Sequence, residues 1–185
     1  MFRLRMKQML SIALAALMVQ PSPTWAGSSA AVVGSINSYG AVTVGQSAAP
    51  ASSTLFAGDT VRTQAGNAVV QYEQGARVLL AKSSAAVFTP KTVELQKGQM
   101  SFRTTTGKDV TFNATSLRLE PMSDKTAADV TVDNGKASVT VREGSVRAVD
   151  PSGTPLAVIP AGEAKLFAMA VPPASAAPEI GRAHV

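Results

Sequence analysis

The stretch LFAGDTVRTQAGNAVVQYEQGARVLL, residues 55–80, decides the fold class. Apolar and polar residues alternate along it, and Gly58, Gly66 and Gly75 stand at its breaks. Period-two alternation puts one set of side chains on a buried sheet face and leaves the other wet. The stretch therefore reads as strand, turn, strand, turn, strand. The same grammar returns in residues 130–141, VTVDNGKASVTV, where Asn134-Gly135 is the strongest hairpin cue in the chain. Gly135, Gly144, Gly153 and Gly162 stand nine residues apart, as do Gly66 and Gly75, and Gly98 and Gly107. Nine residues make about one short strand plus a tight turn. Calcium-binding β-rolls share the period but need paired glycines and a recurring Asp. The residues before these glycines are Asn134, Glu143, Ser152 and Ala161, so a structural repeat of turns remains.

Working outward, Val32, Val33 and Ile36 begin a first strand and Ala41–Val44 form a second, with Asn37–Gly40 between them as a turn. Residues 46–54, QSAAPASST, read as a polar loop. Ala85–Phe88 is a strand closed by Pro90. Val93–Leu95 and Met100–Phe102 read as two strands around Lys97-Gly98, and Val110–Phe112 and Leu117–Leu119 continue the alternation. Residues 124–129, DKTAAD, have room for one helical turn and no more. The expected fold is all-β, with short antiparallel strands and tight turns in a solenoid-like or sandwich arrangement, preceded by a signal-peptide helix.

The leader is legible at the N-terminus. Arg3, Arg5 and Lys7 precede an apolar run of eleven residues, Met9–Val19, broken by Pro21 and Pro23. Crossing a bilayer takes roughly 20 apolar residues, so the run reads as a secretory leader. Small residues at Thr24 and Ala26 place cleavage after Ala26. The expected organisation is a signal peptide over 1–26, a spacer over 27–31, a β domain over 32–170 and a disordered Pro/Ala-rich tail over 171–185. The mature chain is expected in the periplasm or outside the cell, with no stable membrane span. Three of the 17 basic residues leave with the leader and all 12 acidic ones stay, which reduces the net charge to +2. The remaining charges are scattered, without the basic stripe that nucleic acid requires. The chain has no cysteine, which excludes disulfides, thiolate metal sites, thiol nucleophiles and a thiol-linked lipid anchor.

Residues 55–63, LFAGDTVRT, resemble the "GD-x-(V/I)-x-T" element of the FecR domain, the extracytoplasmic part of bacterial iron-dicitrate-type regulators. The strand and "dGs-x-(v/l)-x-l" turn that follow in that family resemble Val69–Tyr72 and Gln74–Leu80. The later "G-x-v-x-V-x-x-G-x-V" element is similar to Gly135–Val146, and a closing Gly-plus-acid turn to Gly162-Glu163. The resemblance covers roughly residues 32–168. Signalling members add a cytoplasmic sigma-factor-binding domain, a membrane span and a transducer-contacting domain, none of which is legible here. The resemblance thus implies a stand-alone exported β domain, and it brings no catalytic residues with it.

Candidate chemistry is sparse. Asp59 is expected to cap backbone N–H groups of its turn, and Thr63 to bond within the same turn. The single histidine, His184, lies in the tail, so no histidine triad or histidine metal cluster forms. No two acids stand at i, i+2 on a strand. Thr106-Gly107-Lys108 lacks the first Gly and the Ser/Thr of a phosphate loop, with Phe102 and Asp109 in those places, and reads as a hairpin turn. Asn113-Ala114-Thr115 is a chance match to a glycosylation acceptor. Trp25, Tyr39 and Tyr72 are too few to stack sugars, and Tyr72 reads as core. Arg62, Arg77, Arg103, Arg118 and Arg142 fall on polar strand positions and are expected to be solvated; the alternative is a row across adjacent strands that would meet an anionic polymer. The residues point to an exported, non-enzymatic binding or interaction domain of the cell envelope, possessing neither catalytic nor metal residues nor a cofactor. Its expected partner is an envelope protein or a polysaccharide, and exposed β edges would favour strand addition. The alternative is a self-associating structural or polysaccharide-binding envelope protein.

Overall fold

The computed structural model describes residues 30–105 and 110–168. The leader, most of the spacer, Met169-Ala170, the tail with His184, and the expected hairpin turn at Thr106-Gly107-Lys108 lie outside them. The described chain is all strand and turn. The strands are β1 (Val32–Tyr39), β2 (Val42–Val44), β3 (Ser47–Ala48), β4 (Ser52–Phe56), β5 (Thr60–Thr63), β6 (Asn67–Tyr72), β7 (Arg77–Leu80) and β8 (Ala85–Phe88). They continue as β9 (Thr92–Thr104), β10 (Thr111–Ala114), β11 (Leu117–Pro121), β12 (Thr126–Asp133), β13 (Lys136–Glu143), β14 (Ser145–Val149), β15 (Pro155–Pro160) and β16 (Ala164–Ala168).

All sixteen belong to one hydrogen-bonded, mixed sheet, and β9 is its branch point. The first part of β9 pairs with β8 and β10, and the second with β7 and β12. The ladder thereby divides into half 1, in the order β4-β1-β6-β7-β9-β12-β13-β16, and half 2, in the order β3-β2-β5-β8-β9-β10-β11-β14-β15. Inward side chains of both halves build one core. Phe102 of half 1 stacks on Phe112 of half 2, with ring centroids 3.7 Å apart, and Tyr72 meets Phe88 across the same space. Alternation explains the burial. In β6 and β7, Ala68, Val70, Tyr72, Val78 and Leu80 are buried, while Gln71 and Arg77 between them are wet.

The chain winds between the halves: β1 lies in half 1, β2 and β3 in half 2, β4 back in half 1, and so on to β16. The nine-residue glycine period falls on the strand ends of this winding. Gly135 and Gly153 turn hairpins within a half, whereas Gly144 and Gly162 carry the chain across to the other. Gly66 also sits at a crossing, where an added Cβ would stand 2.3 Å from the carbonyl oxygen of Tyr39.

Several expectations are corrected. The sheet is not wholly antiparallel, because β10 runs parallel to β9 after the chain crosses from half 1 back to half 2. Residues 92–104 are one bent strand, not two: Gly98 takes φ +88°, letting β9 leave one half and enter the other without a turn. Asn37–Tyr39 belong to β1, paired with β6 throughout and with β4 at Asn37, and the turn is confined to Gly40-Ala41. Ser47-Ala48 and Ser52–Thr54 within the expected loop are strand, because backbone partners in β2 and β1 outweigh a polar composition. Residues 124–129 contain no helical turn, since Thr126 already opens β12 against β9.

Candidate functional site

Two surfaces stand out. The first is the outer face of half 1. Arg77 of β7 and Arg103 of β9 are register partners, directly opposite each other across two interior strands. Like charges so placed repel, and neither guanidinium has a counter-ion among the described residues. Beside them Arg142 forms a bidentate pair with Asp129 of β12, and the Ser101 hydroxyl donates to the same carboxylate. Arg142 is the extra residue of a bulge, between Val141, paired with Ala128, and Glu143, paired with Ala127. A bulge re-aims a side chain. Together with Leu79 these residues line a shallow groove of about 220 Å³.

Half 2 offers a contrast. There Arg118 and Arg147 both lie near Glu120, at 4.0 and 3.9 Å, so these two arginines share one carboxylate. Arg62 also lies in half 2 and points a guanidinium N–H at the Gly45 carbonyl, 3.4 Å away. The five arginines weighed as a row are thus divided between the halves. Arg77, Arg103 and Arg142 come together, while Arg62 and Arg118 do not join them, because the winding sends β5 and β11 to the other half.

The second surface lies where β11, β15 and β16 end. Leu117, Leu156, Leu166 and Phe167 line an open groove of about 570 Å³ there. Leu156 is 52% exposed and Leu166 66% exposed, large values for leucines. Sequence reading missed this groove. Leu166 was legible as the outward member of the Lys165-Leu166-Phe167 alternation, but Leu156 is displaced by a bulge in β15.

The remaining candidates have structural roles. Asp59 Oδ2 accepts the Phe56 N–H at 2.8 Å, which is the expected turn cap. Thr63 does not bond within that turn. Its buried hydroxyl reaches Ala81 O at 2.5 Å and accepts the Ser84 N–H at 2.9 Å, tying β5 to the loop before β8. Tyr72 is core, as expected, with its hydroxyl donating to Thr89 O at 3.1 Å and burial pushing its ionisation up. Asn113 lies within β10 with a buried, unpartnered Oδ1. Among the described residues, no group of three or more His, Asp or Glu side chains is placed to hold a metal ion, and no helix is long and apolar enough to cross a membrane.

No family model and no curated protein matches the chain. Two crystal structures of a candidate anti-sigma factor from Parabacteroides distasonis ATCC 8503 are similar to it at 14% identity. Their TM-scores are 0.44 and 0.42. The first likeness covers 58% of this chain and 57% of the solved one, and the second 57% and 56%, so this chain spans little more than half of the solved chain it matches.

Proposed function

We propose that this chain is an exported, non-enzymatic FecR-like domain of the bacterial cell envelope that acts by binding a protein partner in the periplasm or outside the cell. The leader over residues 1–26 supports export, and the all-strand, wound sheet is compatible with the stand-alone β domain that the resemblance implies.

The apolar groove at the ends of β11, β15 and β16 carries the binding reading. Exposed apolar side chains gathered in one groove are the feature that supports contact with a partner: Leu156 and Leu166 are both more than half exposed beside buried Leu117 and half-buried Phe167. Among the described residues, three of the four free sheet edges, β15, β3 and β16, are less suited to the task, whereas β4 carries no such device. β15 begins and ends with Pro155 and Pro160, β3 has two residues, and β16 carries Lys165 in register with buried Val139. Edge proline, short strands and inward lysine are devices that discourage strand addition. The reading therefore rests on the side chains of the groove rather than on these three edges.

The test is in-cell crosslinking of the full chain and of a Leu166→Lys, Leu156→Lys variant, with mass spectrometry of the captured proteins. The wild type captures one dominant envelope protein and the variant loses it. Equal capture by both would refute the groove, and self-links alone would favour the self-associating envelope protein instead.

A further inference from the structure

The arginine groove on the outer face of half 1 is independent of the apolar one. Arg77 and Arg103 belong to adjacent interior strands, so their Cα atoms are held about 5 Å apart by the ladder itself. Like charges on directly opposed residues raise the energy of the empty face. An oxyanion placed between the two guanidinium forks reverses the sign of the interaction and takes parallel N–H···O bonds. Arg142 is already held by Asp129, so it supplies a third, positioned cation at the lip rather than the primary clamp.

The apolar part of the groove sets the ligand class. Leu79, 40% exposed, and its register partner Val69 form an outward strip one step along the strands from the arginine pair. The ladder on both sides of β7 and β9 is occupied, so no backbone group is free to pair with an extended peptide. Membrane-surface recognition draws on about 4–8 clustered basic residues, whereas this groove has three, with Asp129 among them and Glu143 beyond Ala127. The groove, about 220 Å³, is smaller than the roughly 300 Å³ at which drug-sized pockets begin. A small ring with one anionic substituent fits these conditions: the anion between the guanidiniums, the C–H face against Leu79.

We propose that this groove binds an acidic saccharide, a sugar ring bearing a carboxylate or phosphate, with Arg77 and Arg103 as the anion clamp and Leu79 as the apolar floor.

The test is calorimetric titration of the full chain with trigalacturonate, mannose 6-phosphate, neutral maltotriose, inorganic phosphate and hexaglutamate. At least one acidic saccharide binds saturably and maltotriose does not. Arg77→Gln with Arg103→Gln weakens that binding about tenfold or more, while Arg62→Gln in half 2 leaves it unchanged. Arg103→Lys keeps the charge and loses the fork, so it also weakens binding and serves where the double variant is poorly folded. Without ligand, the double variant melts at or above the wild-type temperature, because a repulsive pair has been removed. Unchanged affinity in both arginine variants would overturn the proposal. So would inorganic phosphate or hexaglutamate binding as tightly as the acidic saccharides, or no binding by trigalacturonate and by mannose 6-phosphate alike.

Discussion

The Thr63 hydroxyl holds two segments together from a position that local sequence describes as a turn. It is 4% exposed and bonds Ala81 O, Ser84 O and the Ser84 N–H. Thr63→Val keeps the shape and leaves that N–H buried without its acceptor, a loss of about 1–3 kcal/mol. Urea unfolding would register it as a lower midpoint at unchanged slope. Asp150 does comparable work in the turn between β14 and β15. The Ser152 hydroxyl, at 2.6 Å, and the Thr154 N–H, at 2.8 Å, donate to its Oδ1 and hold its carboxyl below the ordinary value of 3.8. A depressed folded-state value stabilises the carboxylate form. The contribution is therefore complete above the unfolded value and is lost as the pH falls through the lower folded one. Denaturation midpoints followed from about pH 5 to pH 2 should fall less steeply in Asp150→Asn than in the wild type. Equal slopes would show that the turn does not favour the charged form.

At the scale of the element, β9 is decisive. A strand of 13 residues that serves both halves needs a bend where its partners change, and Gly98 supplies it with φ +88°. An added Cβ there would stand 2.4 Å from Ser84 Oγ and 2.6 Å from Ser84 Cα, so backbone as well as side chain must move. Gly98→Ala combines that collision with the strain of a positive φ, itself about 1–3 kcal/mol. Thermal melting should show a loss greater than that of the Thr63 variant, and a neutral result would mean β9 bends elsewhere. The alternating pattern and the Asn134-Gly135 hairpin were legible because they depend on neighbours in sequence. Asn134 and Gly135 both take positive φ, 47° and 71°, as the two-residue turn with Asn-Gly requires. The bend at Gly98 was read as a turn because a Lys-Gly pair between apolar runs carries the same local signal in either setting.

Over the whole molecule, the alternation of strands between two halves determines which surfaces exist. It gathers Arg77, Arg103 and Arg142 on one face, sends Arg62 and Arg118 to the other half, and brings β15 and β16 together at one end. It also leaves sheet edges whose protection is testable. Lys165 lies on the side of buried Val139 at the edge of half 1, and an inward charge discourages another strand from pairing there. Lys165→Val should make the chain assemble with rising concentration in sedimentation velocity, under conditions where the wild type sediments as one species. A single species for both would mean that the lysine does not guard the edge.

Sequence alone determined the all-β class, the strand faces and the principal hairpin, because side-chain alternation and positive-φ turns are local properties of the backbone. It also identified Asp59 as a cap and Tyr72 as core, since each depends on residue type and strand position. Only the tertiary structure decided that Thr63 reaches a loop 18–21 residues away, that β9 joins both halves, and that three of five similar arginines share a groove. Those outcomes depend on which strands become neighbours, and strand neighbours are chosen by the packing of the common core rather than by the residues that end up side by side.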